Sequence, residues 1–291
     1  MESRYYRLQY KLQRSPNLLY FSPAIVLLFL LLSLIAIFHQ GHFCAAGNNA
    51  AGNNGTLPPG GSFFPDDCVA SSQSEPSTSS AVPGGYDFSR PVPAADTAVT
   101  EEYFGDAVFI GDSRTEGLKM FGGPQDAVYY TSNGLKVDTV FTRPVIRTAA
   151  GEKVTVIEAL RRKPFKKAYI MLGINELGWA YSDLFIKQYI EVVDEIKKIA
   201  PEAQIYVQSL LPVTKERSQS DEIFNNANIG GYNHLIRQMA AAEGLYYLNV
   251  AQCMADAEGN LFSDASTDGI HLKKSYCERW FDYLKLHYVA E

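Results

Sequence analysis

A serine stands just after a short apolar run in the segment Val108–Gly117, whose sequence is VFIGDSRTEG. The run ends at a glycine and precedes a predicted helix. We therefore expect Ser113 at the carboxyl end of a buried strand, where open α/β sheets bind ligands. The segment alone is equally consistent with an ordinary turn in which Asp112 or Ser113 caps the helix. Near the other end of the chain, however, Asp268 and His271 occur together in the sequence TDGIHL. Serine, histidine and aspartate are the components of a triad for acyl transfer.

Two more predicted strands end in polar turns. Ala127–Thr131 is followed by the sequence SNG, whose Gly134 can expose its backbone N–H. Ala168–Leu172 is followed by GIN, which places Asn175 at the carboxyl edge of a central strand, level with Ser113. Each turn alone is routine, but together with the serine they supply hydrogen-bond donors around one point.

Strand and helix patterns alternate from about Glu101 to the end of the chain. The predicted strands are Ala107–Ile110, Ala127–Thr131, Ala168–Leu172, Gln204–Ser209 and Leu245–Val250. The clearest helical periodicity runs from Ser182 to Ala200 and stops at Pro201, and a last helix runs from Lys273 to about His287. This alternation predicts one α/β domain with a parallel sheet.

Four short blocks occur in the order Gly111-Asp112-Ser113, Gly134, Gly173-x-Asn175 and Asp268-x-x-His271. In this order and spacing the chain resembles the SGNH (GDSL-type) hydrolase superfamily from Val108 to Leu272. The resemblance implies a three-layer α/β/α sandwich with five parallel strands, similar to flavodoxin. It also implies the site roles: Ser113 as nucleophile, His271 as base, Asp268 as its orienting partner, and an oxyanion hole made by the backbone N–H groups of Ser113 and Gly134 and the side-chain amide of Asn175. This chemistry requires no metal or cofactor.

The sequence departs from the family pattern at two positions. Glu176 replaces the aspartate that usually follows the block asparagine, and we expect this change to affect loop support more than chemistry. Arg114 stands where many relatives carry an apolar or hydroxylated residue. We expect it to pair with Glu116 or Glu176, while contact with an anionic substrate group is the alternative.

Asp264 is the second candidate for the acid that orients His271.

The first hundred residues have a different composition from the rest. Leu18–Phe38 is almost wholly apolar, long enough to cross a bilayer, with basic residues before it and none after it until Arg90. This pattern predicts a cytoplasmic leader (1–17), a transmembrane signal anchor (18–38), a flexible Gly/Asn/Ser/Pro-rich linker (39–100) and an extracytoplasmic domain (101–291). A cleaved signal peptide is the alternative, and it also exports the domain.

Composition excludes several classes of function. The net charge is −6 and the pI about 5.5, so the composition gives no sign of the basic surface that nucleic-acid binding requires.

The four cysteines, Cys44, Cys68, Cys253 and Cys277, show no spacing typical of a zinc site. We expect Cys253 and Cys277 to be small buried residues or one disulfide rather than reactive thiols. Nothing in the sequence indicates an oligomeric state.

Location and family resemblance together predict a membrane-tethered extracytoplasmic serine esterase. The expected substrate is a small acyl ester, such as an O-acetyl group on a cell-envelope or environmental polysaccharide. Trp179, Tyr181 and the loop Lys215–Asn228 are candidates for an acceptor surface. Two alternatives stay open: an O-acetyltransferase that uses the same triad, and a catalytically silent wall-binding or assembly module.

Overall fold

Five parallel strands form the centre of the domain in the computed structural model, which describes residues 86–290. The strands are β1 (Ala107–Gly111), β2 (Val128–Thr131), β5 (Lys167–Met171), β6 (Gln204–Gln208) and β7 (Tyr246–Leu248), in the order β2-β1-β5-β6-β7. A separate antiparallel pair consists of β3 (Ile146–Arg147) and β4 (Lys153–Val154). The predicted parallel sheet is confirmed, whereas the short antiparallel pair was not predicted.

Eight α-helices connect or flank the strands within the described residues. They are α1 (Ser113–Phe121), α2 (Thr139–Thr142), α3 (Val156–Leu160), α4 (Ser182–Ile199), α5 (Lys215–Ser220), α6 (Asn226–Glu243), α7 (Ala251–Met254) and α8 (Lys274–Leu286), with 3₁₀ turns at Glu101–Phe104 and Ile174–Glu176. Helix α1 packs against α8, and α4 packs against α3 and α6. Strands β1 and β5 are buried along their whole length because helices cover both faces of the sheet.

An aromatic ladder crosses the sheet, with one ring contributed by each strand. The parallel register places the rings of Tyr129, Phe109, Tyr169, Tyr206 and Tyr246 side by side in that order. Successive ring centroids are 5.0, 4.8, 4.6 and 5.1 Å apart. A slip of one residue in any strand would move its ring to the opposite face, so the ladder favours a single register.

Residues before the predicted domain boundary at residue 101 also pack against the domain. Residues 86–100 form a strap along the edge of the sheet, where Val92 is 2% exposed. The Val92 N–H donates to the carbonyl of Tyr247 at 2.8 Å, and the Ala95 N–H donates to the carbonyl of Leu286 at 2.7 Å. The exposed edge of β7 and the end of α8 thus offer carbonyl acceptors to a segment whose composition alone is typical of a linker.

The predicted anchor Leu18–Phe38 lies outside the described residues. Within residues 86–290, no helix combines the length and apolar character needed to cross a membrane.

The two cysteines of the described domain are unpaired. Cys277 is buried and Cys253 is partly buried, and no disulfide joins them. Burial raises the pKa of Cys253 to about 11 and that of Cys277 to about 12. Both therefore remain neutral thiols at physiological pH, as expected for residues that pack rather than react. Cys44 and Cys68 lie outside the described residues.

Removing the strap should destabilise the domain. A protein starting at residue 101 loses the burial of Val92 and the strap's backbone hydrogen bonds. We expect its free energy of unfolding to fall by roughly 2–4 kcal/mol relative to a protein starting at residue 86. Urea denaturation of both measures this difference, and Val92→Ala in the longer protein should account for part of it. Equal stabilities of the two proteins would show that the strap contributes nothing.

Candidate active site

Ser113 is the first residue of α1, two residues beyond the end of β1. The preceding Asp112 is fully buried and caps the helix, because its Oδ1 accepts the backbone N–H of Arg114 at 2.9 Å. The cap turns the chain sharply from strand to helix and leaves Ser113 partly exposed. The helix-capping role weighed from the sequence therefore belongs to Asp112, and the Ser113 hydroxyl is free for another role.

The structure brings Ser113, His271 and Asp268 together although they are far apart in sequence. The distance from Ser113 Oγ to His271 Nε2 is 3.0 Å, and that from His271 Nδ1 to Asp268 Oδ2 is 2.6 Å. A carboxylate can only accept, so the Nδ1 atom carries the proton and donates to Asp268. Nε2 is then an acceptor for the serine hydroxyl. This arrangement can remove a proton from Ser113 and hold it on the imidazole.

The Asp268 carboxylate is held by its own loop. Its Oδ1 accepts the backbone N–H groups of Ile270 and His271 at 2.9 and 2.8 Å, and the hydroxyl of Ser266 at 3.0 Å. Burial alone would raise the pKa of Asp268. The hydrogen bonds from His271, Ile270 and Ser266 outweigh that effect and hold the pKa well below its usual range. The orienting acid is therefore ionised at neutral pH.

The turn between the acid and the base requires a glycine. Gly269 has a φ of +83°, and a Cβ there would lie 2.7 Å from Cβ of Arg217 and 2.9 Å from Oγ1 of Thr214. Its carbonyl accepts the Thr214 N–H at 3.0 Å. The loop is thus packed tightly against the start of α5.

Three donors converge near the serine. Gly134 has a φ of +68°, and within residues 86–290 neither its N–H nor that of Ser113 donates a hydrogen bond to the protein. Asn175 donates from Nδ2 to the carbonyl of Leu135 at 3.1 Å, and its other contact, with Asp112 Oδ2, is 3.5 Å long. One amide proton of Asn175 thus fixes the Gly134 loop while the other is only weakly engaged. These groups can serve as an oxyanion hole.

Glu176 joins the two loops that carry these donors. It is fully buried, and its Oε1 accepts the Val137 N–H at 2.8 Å. Its own carbonyl accepts the hydroxyl of Tyr232 at 2.6 Å. Burial raises the pKa of Glu176 to about 8, so the side chain is mainly protonated at neutral pH. These contacts fit the loop-supporting role expected from the sequence.

The predicted ion pair of Arg114 is wrong. Its side chain is 2% exposed and donates from Nη1 to the carbonyl of Leu211 at 2.6 Å, and no ion pair with Glu116 or Glu176 occurs. Glu116 is only partly buried, while Glu176 is mainly neutral and already holds Val137. The guanidinium is therefore buried away from both carboxyl groups.

The other candidate acid faces elsewhere. The Asp264 carboxylate accepts the hydroxyl of Tyr276 at 2.6 Å, and the backbone carbonyl of Asp264 accepts from Lys273 Nζ at 2.8 Å.

Sequence reasoning missed Ser266, whose hydrogen bond to Asp268 supports the orienting acid. The only sequence signal was a hydroxyl residue two positions before the aspartate.

The candidate acceptor surface is only partly exposed. Tyr181 is 75% exposed, whereas Trp179 packs against the core. The predicted loop Lys215–Asn228 is largely helical, because it contains α5 and the first turn of α6. Ile223, in the connection between these helices, is 45% exposed, and its side chain lies against Gly178. The loop after Asn175 and the connection between α5 and α6 therefore meet beside the site.

Part of the chain matches the model of a known protein family. The family model for GDSL-like lipases and acylhydrolases matches residues 109–275, more than half of the chain. The chain belongs to this family. It is accordingly a serine ester hydrolase.

Solved structures with a similar fold come from several bacteria. A Streptococcus pneumonia protein described as a platelet activating factor is 21% identical, with a TM-score of 0.50 over 62% of this chain and 82% of that one. A GDSL-like lipase from Bacteroides thetaiotaomicron is 16% identical, with a TM-score of 0.46 over 66% and 88%. Axe2, an acetylxylan esterase from Geobacillus stearothermophilus, is 15% identical, with a TM-score of 0.44 over 61% and 91%. The first shows the shared fold. No curated protein matches the chain.

The buried acid Glu176 should make stability depend on pH. Its pKa rises from 4.5 to about 8 on folding, so unfolding releases a proton and stability falls as pH rises through this range. Between pH 6 and pH 8 we expect a loss of about 2 kcal/mol. Thermal unfolding of the parent and Glu176→Gln, which keeps the shape without titrating, measures it. A decline of the same size in both proteins would contradict this assignment.

Proposed function

We propose that this protein is a membrane-tethered extracytoplasmic esterase that hydrolyses small acyl esters, chiefly O-acetyl groups on carbohydrate, with Ser113 as the nucleophile. The observation that carries the proposal is the continuous hydrogen-bond chain from Ser113 through His271 to Asp268. It lies beside free N–H groups at a strand end, where a substrate carbonyl can be polarised.

The reaction follows from the positions of these groups. His271 Nε2 takes the hydroxyl proton of Ser113 as Oγ attacks the ester carbonyl, and the imidazolium then protonates the leaving alkoxide. This gives an acyl-serine and a free alcohol. A water molecule, deprotonated by the same nitrogen, attacks the acyl-serine and releases the carboxylic acid. Asp268 stabilises the imidazolium throughout and keeps its proton on Nδ1.

The negative charge of the tetrahedral intermediate needs its own donors. We assign this role to the backbone N–H groups of Ser113 and Gly134 and to the amide of Asn175. The loop contacts of Leu135 and Glu176 fix these donors before substrate binds, so little reorganisation accompanies the reaction.

The open position of the site supports a substrate attached to a polymer. The side chains of His271 and Asp268 are each 52% exposed. Cavities of about 550 and 340 Å³ lie away from the triad. The first is lined by residues 160–166 and 199–203, and the second by residues 119, 124, 125 and 127–129. A bulky chain can therefore approach Ser113 from solvent, and the exposed Tyr181 ring offers an apolar face to a sugar.

The triad is tested by esterase assays on the full-length protein. With p-nitrophenyl acetate, we expect Ser113→Ala and His271→Ala to lose at least about 10³-fold in kcat, and Asp268→Asn somewhat less. The matched controls are Asp264→Asn and His234→Ala, because these residues lie outside the triad and should leave kcat within about twofold of the parent. Unchanged hydrolysis by Ser113→Ala would contradict the assignment of the triad.

The substrate class and the two alternatives are separated by a second assay. Acetate release from acetylated xylan and other acetylated glycans, measured with and without acceptor sugars, distinguishes hydrolysis from transfer. We expect free acetate in both conditions. Acetylated acceptor in place of acetate would support the O-acetyltransferase, and glycan binding without acetyl loss would support the wall-binding module.

The proposed location rests on the apolar segment Leu18–Phe38 and the basic residues before it. In intact cells, we expect added protease to cut the domain from the full-length protein and to leave the leader protected. A protein that lacks residues 1–38 should stay inside the cell and resist the protease. Protection of the full-length domain in intact cells would overturn the proposed orientation.

A further inference from the structure

A buried guanidinium lies next to the nucleophile without a full set of partners. Arg114 directly follows Ser113, and its side chain is 2% exposed. Its Nη1 donates to the carbonyl of Leu211 at 2.6 Å, whereas Nε and Nη2 have no hydrogen-bond partner within residues 86–290. Burying a charge with unmet donors costs stability. An apolar residue at this position would avoid that cost, so a purely structural role accounts poorly for the arginine.

The single side-chain hydrogen bond of Arg114 joins the helix of the nucleophile to the loop after β6. Leu211 belongs to this loop, and three residues later the Thr214 N–H donates to the carbonyl of Gly269 at 3.0 Å. Gly269 lies in the turn between Asp268 and His271. The carbonyl of Leu211 therefore links the helix that begins at Ser113 to the loop that packs against the acid and base.

The guanidinium also lies within electrostatic range of two carboxylates at the site. Burial lowers the pKa of Arg114 to about 10, while Asp112 and Asp268 raise it, so the side chain stays cationic at neutral pH. Asp268 is held mainly by hydrogen bonds within its own loop. The positive charge of Arg114 also interacts with Asp268.

We infer that Arg114 is a positioning residue for the triad: its bond to Leu211 sets the distance between Ser113 and the Asp268–His271 loop, and its charge balances Asp268. This inference rests on the triad proposed above. A displacement of about 1 Å in a reacting group can cost about 10²-fold in rate while leaving substrate binding nearly unchanged. Loss of Arg114 should therefore act on kcat and spare KM.

The first test is Arg114→Lys in the full-length protein, because lysine keeps the charge but is one bond shorter than arginine, so its ammonium falls short of the position from which Nη1 reaches the Leu211 carbonyl. We expect kcat for p-nitrophenyl acetate to fall at least tenfold, with KM within about threefold of the parent. The matched control is Lys167→Met. Lys167 is as buried as Arg114 and bonds to Asp106 at 2.7 Å, but it lies at the amino end of β5, opposite the end that leads to Asn175. The Lys167→Met variant should lose thermal stability but keep kcat within about twofold of the parent. Parental kcat in Arg114→Lys would overturn the inference.

The second test is chemical rescue of Arg114→Ala. Millimolar guanidinium should raise the kcat of this variant at least about tenfold above its value without the additive. Urea, which is similarly planar but uncharged, should not raise it. No gain with guanidinium, or equal gains with both, would overturn the inference. Ser113→Ala measured in parallel keeps the two claims apart. If it retains activity, the triad itself fails; if it is inactive while Arg114→Lys is unimpaired, only the positioning role fails.

Discussion

The parallel pairing of β1 with both of its neighbours determines where the nucleophile and the proposed oxyanion donors lie. Gly111 at the end of β1 pairs with Thr131 of β2 and with Met171 of β5. Three loops therefore leave the sheet at one level and carry Ser113, Gly134 and Asn175 to the same point. The aromatic ladder crosses the same strands and resists a change of register. The chemistry thus depends on a packing interaction that lies well below the surface.

The loops above the sheet are fixed by polar groups that are costly to bury. Asp112, Arg114 and Glu176 are all almost fully buried, and burial shifts the pKa of each toward the neutral form. Asp112 holds the start of the helix that carries Ser113, and Glu176 holds the loop that carries Gly134. Arg114 holds the Leu211 carbonyl, in the loop that packs against the turn between Asp268 and His271. Stability is lowered in exchange for fixed geometry, which is a common arrangement at active sites.

The sequence was informative where local patterns determine structure. Apolar runs that end at glycine predicted the strand ends, and the order of the four blocks singled out the residues that the fold brings together. The strap around Val92 was not predictable, because its Pro- and Ala-rich composition does not reveal that the edge of β7 supplies acceptors. The destination of Arg114 was also hidden, since its partner is a main-chain carbonyl about a hundred residues away. The roles of the site residues themselves stay predictions.

The most direct measurement is the identity of the covalent intermediate. The full-length protein would be mixed rapidly with p-nitrophenyl acetate, quenched in acid, digested and examined by mass spectrometry. The account predicts one acetyl group on the peptide that contains Ser113, formed and lost within the steady-state turnover time. Turnover without acetylation of this peptide, or an acetyl group on a different nucleophile, would contradict it.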